Sequence, residues 1–575
     1  MNQDNVRWLM QDEHRDCLLD RGKLRLSEWL EKGSASVVKQ GPHRTVYEVR
    51  LPSLHFFLKH NHSTGTKAKL RRWVRKSKAR IEHDCALEVA RREVPTFTPL
   101  ALGESSGSHN SGESYLLTHA LKDTHSLSHF LEQDLPTFPE STRTHWRQSI
   151  AIELGKLLAK MHNTGILHRD LHPANILIQF IDGKPKLFLI DLDAVQLRSS
   201  LDWKSRAANL VILNRWFILR SSRSDRLRFW RAYSGDKTNR EGALDIELDT
   251  EISNQRFWRS LDPRCIKKNR RFRPLKASGV VGHTVTDMDE KVLADLLANP
   301  DAPFEDERNR VLKDSKTSTV VEMEIPLAGK TQRVIYKRFN VKRWTAPLAS
   351  LIRTTPAMRS WIYGHGLRQR WIPTPRPLVV LHRRRNGMLH EGYLMTAKLE
   401  PTEELNDFAD RVEKLANPER TTTIRHTIDQ VASLIRELHR RQISQRDLKS
   451  ANLLVVPDSL IGSSSEKPKR SHVSDAPSPI DYWPLTNSTI WMIDLVGVGC
   501  LKKLSKQRRI QNLARLHASF LSRDWLTRSD KLRFLRAYLP WGLRGKENWK
   551  LWWRAIESAT GAKVAKNARS GRVLA

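Results

Sequence analysis

Hydrophobic and polar positions along the chain fall into two successive series with the same order of elements. In the first, Thr45–Arg50 and His55–Lys59 read as strands about Leu51-Pro-Ser53, which predicts a β-hairpin. A basic helical stretch, Lys67–Arg92, follows, and Pro95–Leu102 and Ser114–Thr118 return to strand composition. Within Ser149–His162, the residues Ile150, Leu154, Leu157, Leu158 and Met161 recur at helical spacing, and Gly165 ends the run. Apolar runs at Ile166–Ile178 and Lys186–Leu192 flank an Asp182-Gly183 turn, and Ala207–Tyr233 is helical again. The second series pairs Val320–Ile325 with Arg333–Lys337 as a hairpin and places helices at Ala357–Arg370 and Thr422–Arg440. Short strands then flank Asp447–Asn452 and Ile490–Leu495. Each series predicts a small sheet with a helix, then a mostly helical half, an α+β arrangement.

The two series also repeat in residue identity. Arg223-Ser-Asp-Arg-Leu-Arg-Phe-Trp-Arg-Ala-Tyr233 recurs as Arg528-Ser-Asp-Lys-Leu-Arg-Phe-Leu-Arg-Ala-Tyr538. His168-Arg-Asp-Leu-His-Pro-Ala-Asn175 recurs as Gln445-Arg-Asp-Leu-Lys-Ser-Ala-Asn452. Lys59 precedes Asp170 by 111 residues, and Lys337 precedes Asp447 by 110. Asp170 to Asp191 spans 21 residues and Asp447 to Asp494 spans 47; the excess falls in the Ser- and Pro-rich stretch 457–489, expected to be a disordered insertion. So long a period means a duplicated domain rather than a solenoid. The seam is expected near Leu275–Gly282, giving domains 1–278 and 279–575.

Each half keeps a strand Lys, an Asp five residues before an Asn, and a later Asp after an apolar run. Phosphoryl transfer needs this set. The Lys can hold phosphates, the first Asp can accept the proton of an attacking hydroxyl, and the Asn with the later Asp can hold Mg²⁺, a hard ion that takes oxygen ligands.

The loop His168…Asn175 followed by Leu189-Ile-Asp191 resembles the catalytic loop and metal-binding Asp of the protein-kinase-like superfamily. Asp191-Leu-Asp193 and Asp494-Leu-Val-Gly497 stand where a protein kinase has DFG; helical sequence resumes near Trp203 or Lys506, and no Ala-Pro-Glu follows. This trimmed second lobe is similar to that of the lipopolysaccharide core kinases, the Kdo and heptose kinase family, as are Val94-Pro-Thr96, Ile372-Pro-Thr374 and Ile190-Asp-Leu-Asp193. The resemblance implies two tandem protein-kinase-like domains, each with a small β-rich lobe and a trimmed helical lobe. It implies ATP and Mg²⁺ as cofactors and a sugar hydroxyl of a lipopolysaccharide core or related glycolipid as acceptor. Carried over, Lys59 and Lys337 bind phosphate, Asp170 and Asp447 are catalytic bases, and Asn175, Asp191, Asn452 and Asp494 bind metal. Glu82 is the expected partner of Lys59, with Glu88 its rival.

The second half departs from the pattern. Ser360 stands where the partner Glu is expected, so the Lys337 ion pair is either missing or supplied elsewhere, by Glu391 or Glu400, and Gln445 replaces His168. Neither half has a full glycine-rich phosphate loop; Gly41 and the hydroxyls of Lys313–Ser318 are the substitutes. The first half is therefore expected to be the active kinase, and the second active or a degenerate scaffold. The alternatives are a protein serine/threonine kinase, disfavoured by the missing activation segment, and a pseudokinase scaffold. His172 and Asp193 read equally as substrate or loop-holding residues.

Composition narrows the partners. The 575 residues include 99 Lys+Arg against 63 Asp+Glu, a net charge of +36. Eight Lys/Arg within Lys67–Arg80, and Trp549, Trp552 and Trp553 among basic residues near the end, fit a solvated face, packing, or peripheral contact with an anionic membrane surface. Nucleic acid is disfavoured because no recognition motif accompanies the charge. No secretory signal or membrane span is expected, and four scattered cysteines without a CxxC pair suit a reducing compartment. The expected location is the cytoplasm, peripheral on the inner face of the cytoplasmic membrane.

Overall fold

The computed structural model describes residues 6–62, 76–105, 113–235, 241–277, 279–327, 329–340, 350, 353–385, 388–456, 490–539 and 546–569. The stretch 67–75 of the expected basic helix and the expected insertion 457–489 lie outside them. The chain divides into two compact units between Asn254 and Gln255, inside the helix Glu241–Leu261.

The first unit opens with a six-stranded antiparallel sheet. Its strands run, in spatial order, Val6–Met10, Pro99–Ser105, Ser114–His119, His55–Asn61, Arg44–Arg50 and Ala35–Gln40. Alternation of side chains across the pleat puts Phe56 and Leu58 in the core on one face and turns Lys59 to the other. The helix Lys78–Arg91 packs on this sheet and is N-capped by Ser77, whose Oγ accepts from Arg80 N. The following lobe is built on the helix Glu140–Asn163, crossed by Arg223–Ser234. Two short antiparallel strand pairs lie between them, the second of them a hairpin. One pairs Ile166–His168 with Val195–Leu197, the other Ile176–Ile181 with Lys184–Leu189. Asp182 and Gly183 turn this hairpin with φ of +48° and +70°, the left-handed pair a two-residue loop requires.

The second unit repeats this plan around a seven-stranded sheet that includes Ser318–Leu327, Lys330–Phe339, Pro377–Arg385 and Met388–Ala397. Phe272–Ala277 and Val280–Val285 form a hairpin, Phe272 opposite Val285, and that hairpin joins this sheet through Val280–Val285. The expected seam at 278/279 falls inside this hairpin, so a cut there would strip a paired strand from the second unit. Its helical lobe is built on Glu419–Arg440 and Arg528–Tyr538. The last helix, Lys546–Arg569, buries Trp552 and Ile556 and lays Trp549 and Trp553 against the same core, so these tryptophans pack within the unit. Among the described residues, no helix is long and apolar enough to cross a membrane.

The recurring Arg-Ser-Asp motif has a local cause. Ser222 and Thr527 cap the two helices that begin there, accepting from Asp225 N and Asp530 N, and Asp530 returns a bond to Thr527 N, a capping box.

Candidate active site

In the first unit, the strand His55–Asn61 and the helix Lys78–Arg91 bring Lys59 Nζ to 2.5 Å from Glu82 Oε1. Glu82 is 2% exposed. Burial pushes its carboxyl up, against the pull of the Lys59 ammonium. Glu88 lies elsewhere, bonded to Arg91 and Arg92 at the surface. Lys59 Nζ also lies 3.3 Å from Asp191 Oδ1, which accepts from Arg44 Nη1 at 3.0 Å. Burial pushes the Asp191 carboxyl up, but Lys59 and Arg44 outweigh it and hold it at about 2.

Asp191 has left-handed backbone, φ +60° and ψ +53°, uncommon for a residue with a side chain. The segment leading to it is pinned from two sides. Leu189 N donates to Pro95 O, and Thr96 Oγ1 donates to Leu189 O at 2.7 Å, which explains Val94-Pro-Thr96. In the second unit Met492 N donates to Pro373 O of Ile372-Pro-Thr374 in the same way.

Asp170 and Asn175 sit on the loop between the strands Ile166–His168 and Ile176–Ile181. Asn175 Nδ2 donates to Asp170 O at 2.9 Å. His168 holds the loop: Nδ1 accepts from Asp170 N at 3.3 Å, so Nε2 carries the proton and donates to Ile190 O at 3.1 Å. His172 Nε2 is 3.5 Å from Asp170 Oδ2, and Asp193 Oδ2 is 4.0 Å from Arg44 Nη1.

The second unit reproduces the loop. Asn452 Nδ2 donates to Asp447 O at 2.7 Å, and Asp494 is again left-handed, φ +52°. Gln445 takes the place of the histidine, with Oε1 accepting from Asp447 N at 3.3 Å and Nε2 donating to Asp494 O at 2.9 Å. Among the described residues, Lys337 has no counterpart of Glu82. Lys337 Nζ is 3.4 Å from Asp494 Oδ1 and 4.9 Å from the Phe339 ring. Among the described residues, buried Ser360 Oγ has no hydrogen-bond partner. Glu391 pairs with Arg383 and His390, and Glu400 with Arg333 and Lys398, so neither is the substitute proposed for Ser360. The Lys313–Ser318 turn also differs from expectation, because Ser315 Oγ is engaged within it by Ser318 N and Ser318 O.

Two sets of residues were not read from the sequence. Arg44 is one; its signal was a cation three residues after Gly41, at the start of the strand Arg44–Arg50. The other is a buried network under each of the loops His168–Asn175 and Gln445–Asn452. Asn209 Nδ2 donates to His168 O, and Asn209 Oδ1 accepts from His162 Nε2 at 3.1 Å, while Tyr233 OH donates to His162 Nδ1 at 2.8 Å. Asn512, His439 and Tyr538 repeat this bond for bond. Burial pushes both histidines down to about 4, so each is neutral. The signal was the tyrosine that closes the repeated Arg-Ser-Asp motif.

The model of the lipopolysaccharide kinase (Kdo/WaaP) family matches residues 31–233 and again 309–467. The chain belongs to this family. Among its relatives, a 3-deoxy-D-manno-octulosonic acid kinase of Actinobacillus succinogenes is 29% identical over 130 residues, 23% of this chain and 49% of the relative. Its counterpart in Haemophilus influenzae (strain 86-028NP) is 35% identical over 102 residues, 18% of this chain and 37% of the relative. The chain thus spans about half or less of the length of these Kdo kinase relatives. A solved WaaP in complex with acyl carrier protein is 20% identical, covering 43% of this chain and 98% of that one, with a TM-score of 0.33. The PknI kinase domain of Mycobacterium tuberculosis is 18% identical, covering 37% and 94%, with a TM-score of 0.23.

Proposed function

We propose that the first unit is a phosphotransferase that moves the γ-phosphoryl group of ATP to a sugar hydroxyl of a lipopolysaccharide core or related glycolipid. One observation carries this reading: Lys59, Glu82 and Asp191 converge in the first unit, and among the described residues of the second Lys337 meets Asp494 but no match for Glu82. Glu82 holds the Lys59 ammonium in place to bind the ATP phosphates. The Asp170 carboxylate accepts the hydroxyl proton as the oxygen attacks phosphorus, and the bond from phosphorus to the leaving ADP oxygen breaks.

The donor set fits Mg²⁺. Asn175 Oδ1 and the Asp191 carboxylate are hard oxygen ligands, and the two cations now on Asp191 mark a place that draws positive charge. When bound, the ion neutralises charge on the phosphates. In the second unit Asp447, Asn452, Asp494 and Lys337 keep the arrangement, with Lys337 beside Asp494 but, among the described residues, without a counterpart of Glu82. This favours a second reading for that unit alone, a scaffold that does not turn over. The net charge of +36 supports a phosphorylated acceptor and peripheral contact with an anionic membrane at its cytoplasmic face.

The test is transfer from radiolabelled ATP to core glycolipid by the full chain. Asp170→Asn should lower the rate by at least about 100-fold, and Asp447→Asn should leave it within about twofold. Equal transfer by wild type and Asp170→Asn would sink the reading.

A further inference from the structure

We propose that His60, His62 and Glu113 form a binding site for a divalent transition-metal ion of the zinc class, on the sheet face opposite Lys59. His60 follows Lys59 on one strand, so the two side chains point to opposite faces. Lys59 meets Glu82 on one face; His60 lies on the other against Tyr115, its cross-strand partner. His62 continues the same hairpin, its N–H donating to His43 O, and Glu113 immediately precedes the adjacent strand.

One ligand atom from each of the three residues lies within 4.8 Å of the other two. His60 Nε2 is 3.2 Å from Glu113 Oε2, and the two imidazole centroids are 4.1 Å apart. Two imidazoles and a carboxylate are the donors that borderline ions such as Zn²⁺ take, whereas Mg²⁺ and Ca²⁺ prefer all-oxygen sets.

Each ligand is also oriented by a neighbour, as metal ligands usually are. Thr45 Oγ1 lies 2.9 Å from His62 Nε2 and fixes that ring. The Tyr115 hydroxyl donates to Glu113 Oε2 at 2.8 Å, and the Tyr115 ring stacks on His60 with centroids 4.4 Å apart. Thr45 and Tyr115 face His60 across its two neighbouring strands, so the sheet register alone assembles the cluster. Three protein ligands leave a fourth position for water. A bound ion would tie the open end of the strand pair Arg44–Arg50 and His55–Asn61 to the strand Ser114–His119.

The test uses the full chain with Zn²⁺ alone as probe, dialysed to equilibrium in excess Mg²⁺ so that all-oxygen sites are filled. We expect about one Zn²⁺ per chain for wild type, and none for the double variant His60→Asn/His62→Asn. Tyr115→Phe, which leaves all three ligands in place, should weaken Zn²⁺ binding about 10- to 100-fold. Co²⁺ in place of Zn²⁺ should give visible d–d bands that Glu113→Gln alters, a readout that stands if the double variant fails to fold. No retained Zn²⁺ in wild type would overturn the proposal. So would undiminished retention in Tyr115→Phe and Glu113→Gln, or loss instead in His125→Gln/His129→Gln, which disrupts the cluster of His125, His129 and Asp134.

Discussion

Replacing Gly497 with alanine should destabilise the second unit, and the cause lies in the exchange of His168 for Gln445. A Cβ built on Gly497 would fall 2.2 Å from Gln445 Oε1 and 3.1 Å from Asp447 N. Oε1 is the atom that accepts from Asp447 N. Gln445 is 2% exposed, so its side chain cannot move aside into solvent. The first unit carries Ala194 at the matching place, its carbonyl accepting from Arg169 N, and His168 where the second has Gln445. Gly497→Ala should therefore lose the Gln445–Asp447 bond, about 1 kcal/mol, and add overpacking of about 1–3 kcal/mol. The sum is about 2–4 kcal/mol, or a fall of roughly 5–15 °C in the melting temperature of that unit. Calorimetry of the full chain measures this. The double variant Gln445→His/Gly497→Ala rebuilds the pair found in the first unit and should recover about 1–3 kcal/mol as coupling energy. A single-variant loss below about 0.5 kcal/mol, or strictly additive losses in the double variant, would refute the reasoning.

Three further outcomes follow from the same geometry. His162 and His439 are neutral in the fold at about 4, below the ordinary 6.5. The unfolded chain takes up their protons first, so stability is full above pH 6.5 and falls toward pH 4; at pH 5 urea unfolding should show a loss of about 2 kcal/mol per histidine. Tyr233→Phe leaves a buried imidazole nitrogen without its donor and should cost about 1–3 kcal/mol, read as a lower melting temperature of the first unit. Arg44→Ala removes a cation from Asp191 Oδ1, a partly exposed pair of about 1 kcal/mol; the Mg²⁺ needed for half-maximal transfer should fall about fivefold, and an unchanged or higher requirement would show that Arg44 does not compete for that carboxylate.

Residues whose chemistry is carried by local spacing were legible in the sequence. The His168–Asn175 and Gln445–Asn452 loops and the Asp182-Gly183 turn are short-range patterns, and duplication doubled the signal for the loops. The register that sets Lys59 beside Glu82 was not spelled out, yet Glu88 had a visible alternative, since Arg91 and Arg92 follow it at helical pairing distance. The expected seam falls inside a hairpin because hydrophobic alternation identifies a strand but not the sheet it joins; Phe272–Ala277 finds its partner through the turn at Gly279. The Asn209–His162–Tyr233 network was missed because polar residues inside apolar helices look like noise until three separate helices bring them together.

The Asp182-Gly183 hairpin has a bearing on engineering. In the first unit two residues separate the paired Ile181 and Lys184; in the second, Val455 and Ile490 pair across 34. Closing the longer loop adds only about 2.5 kcal/mol, because closure entropy grows with the logarithm of length. The same turn in the first unit is thus a natural port for a grafted reporter domain, next to the strand that leads into Asp191.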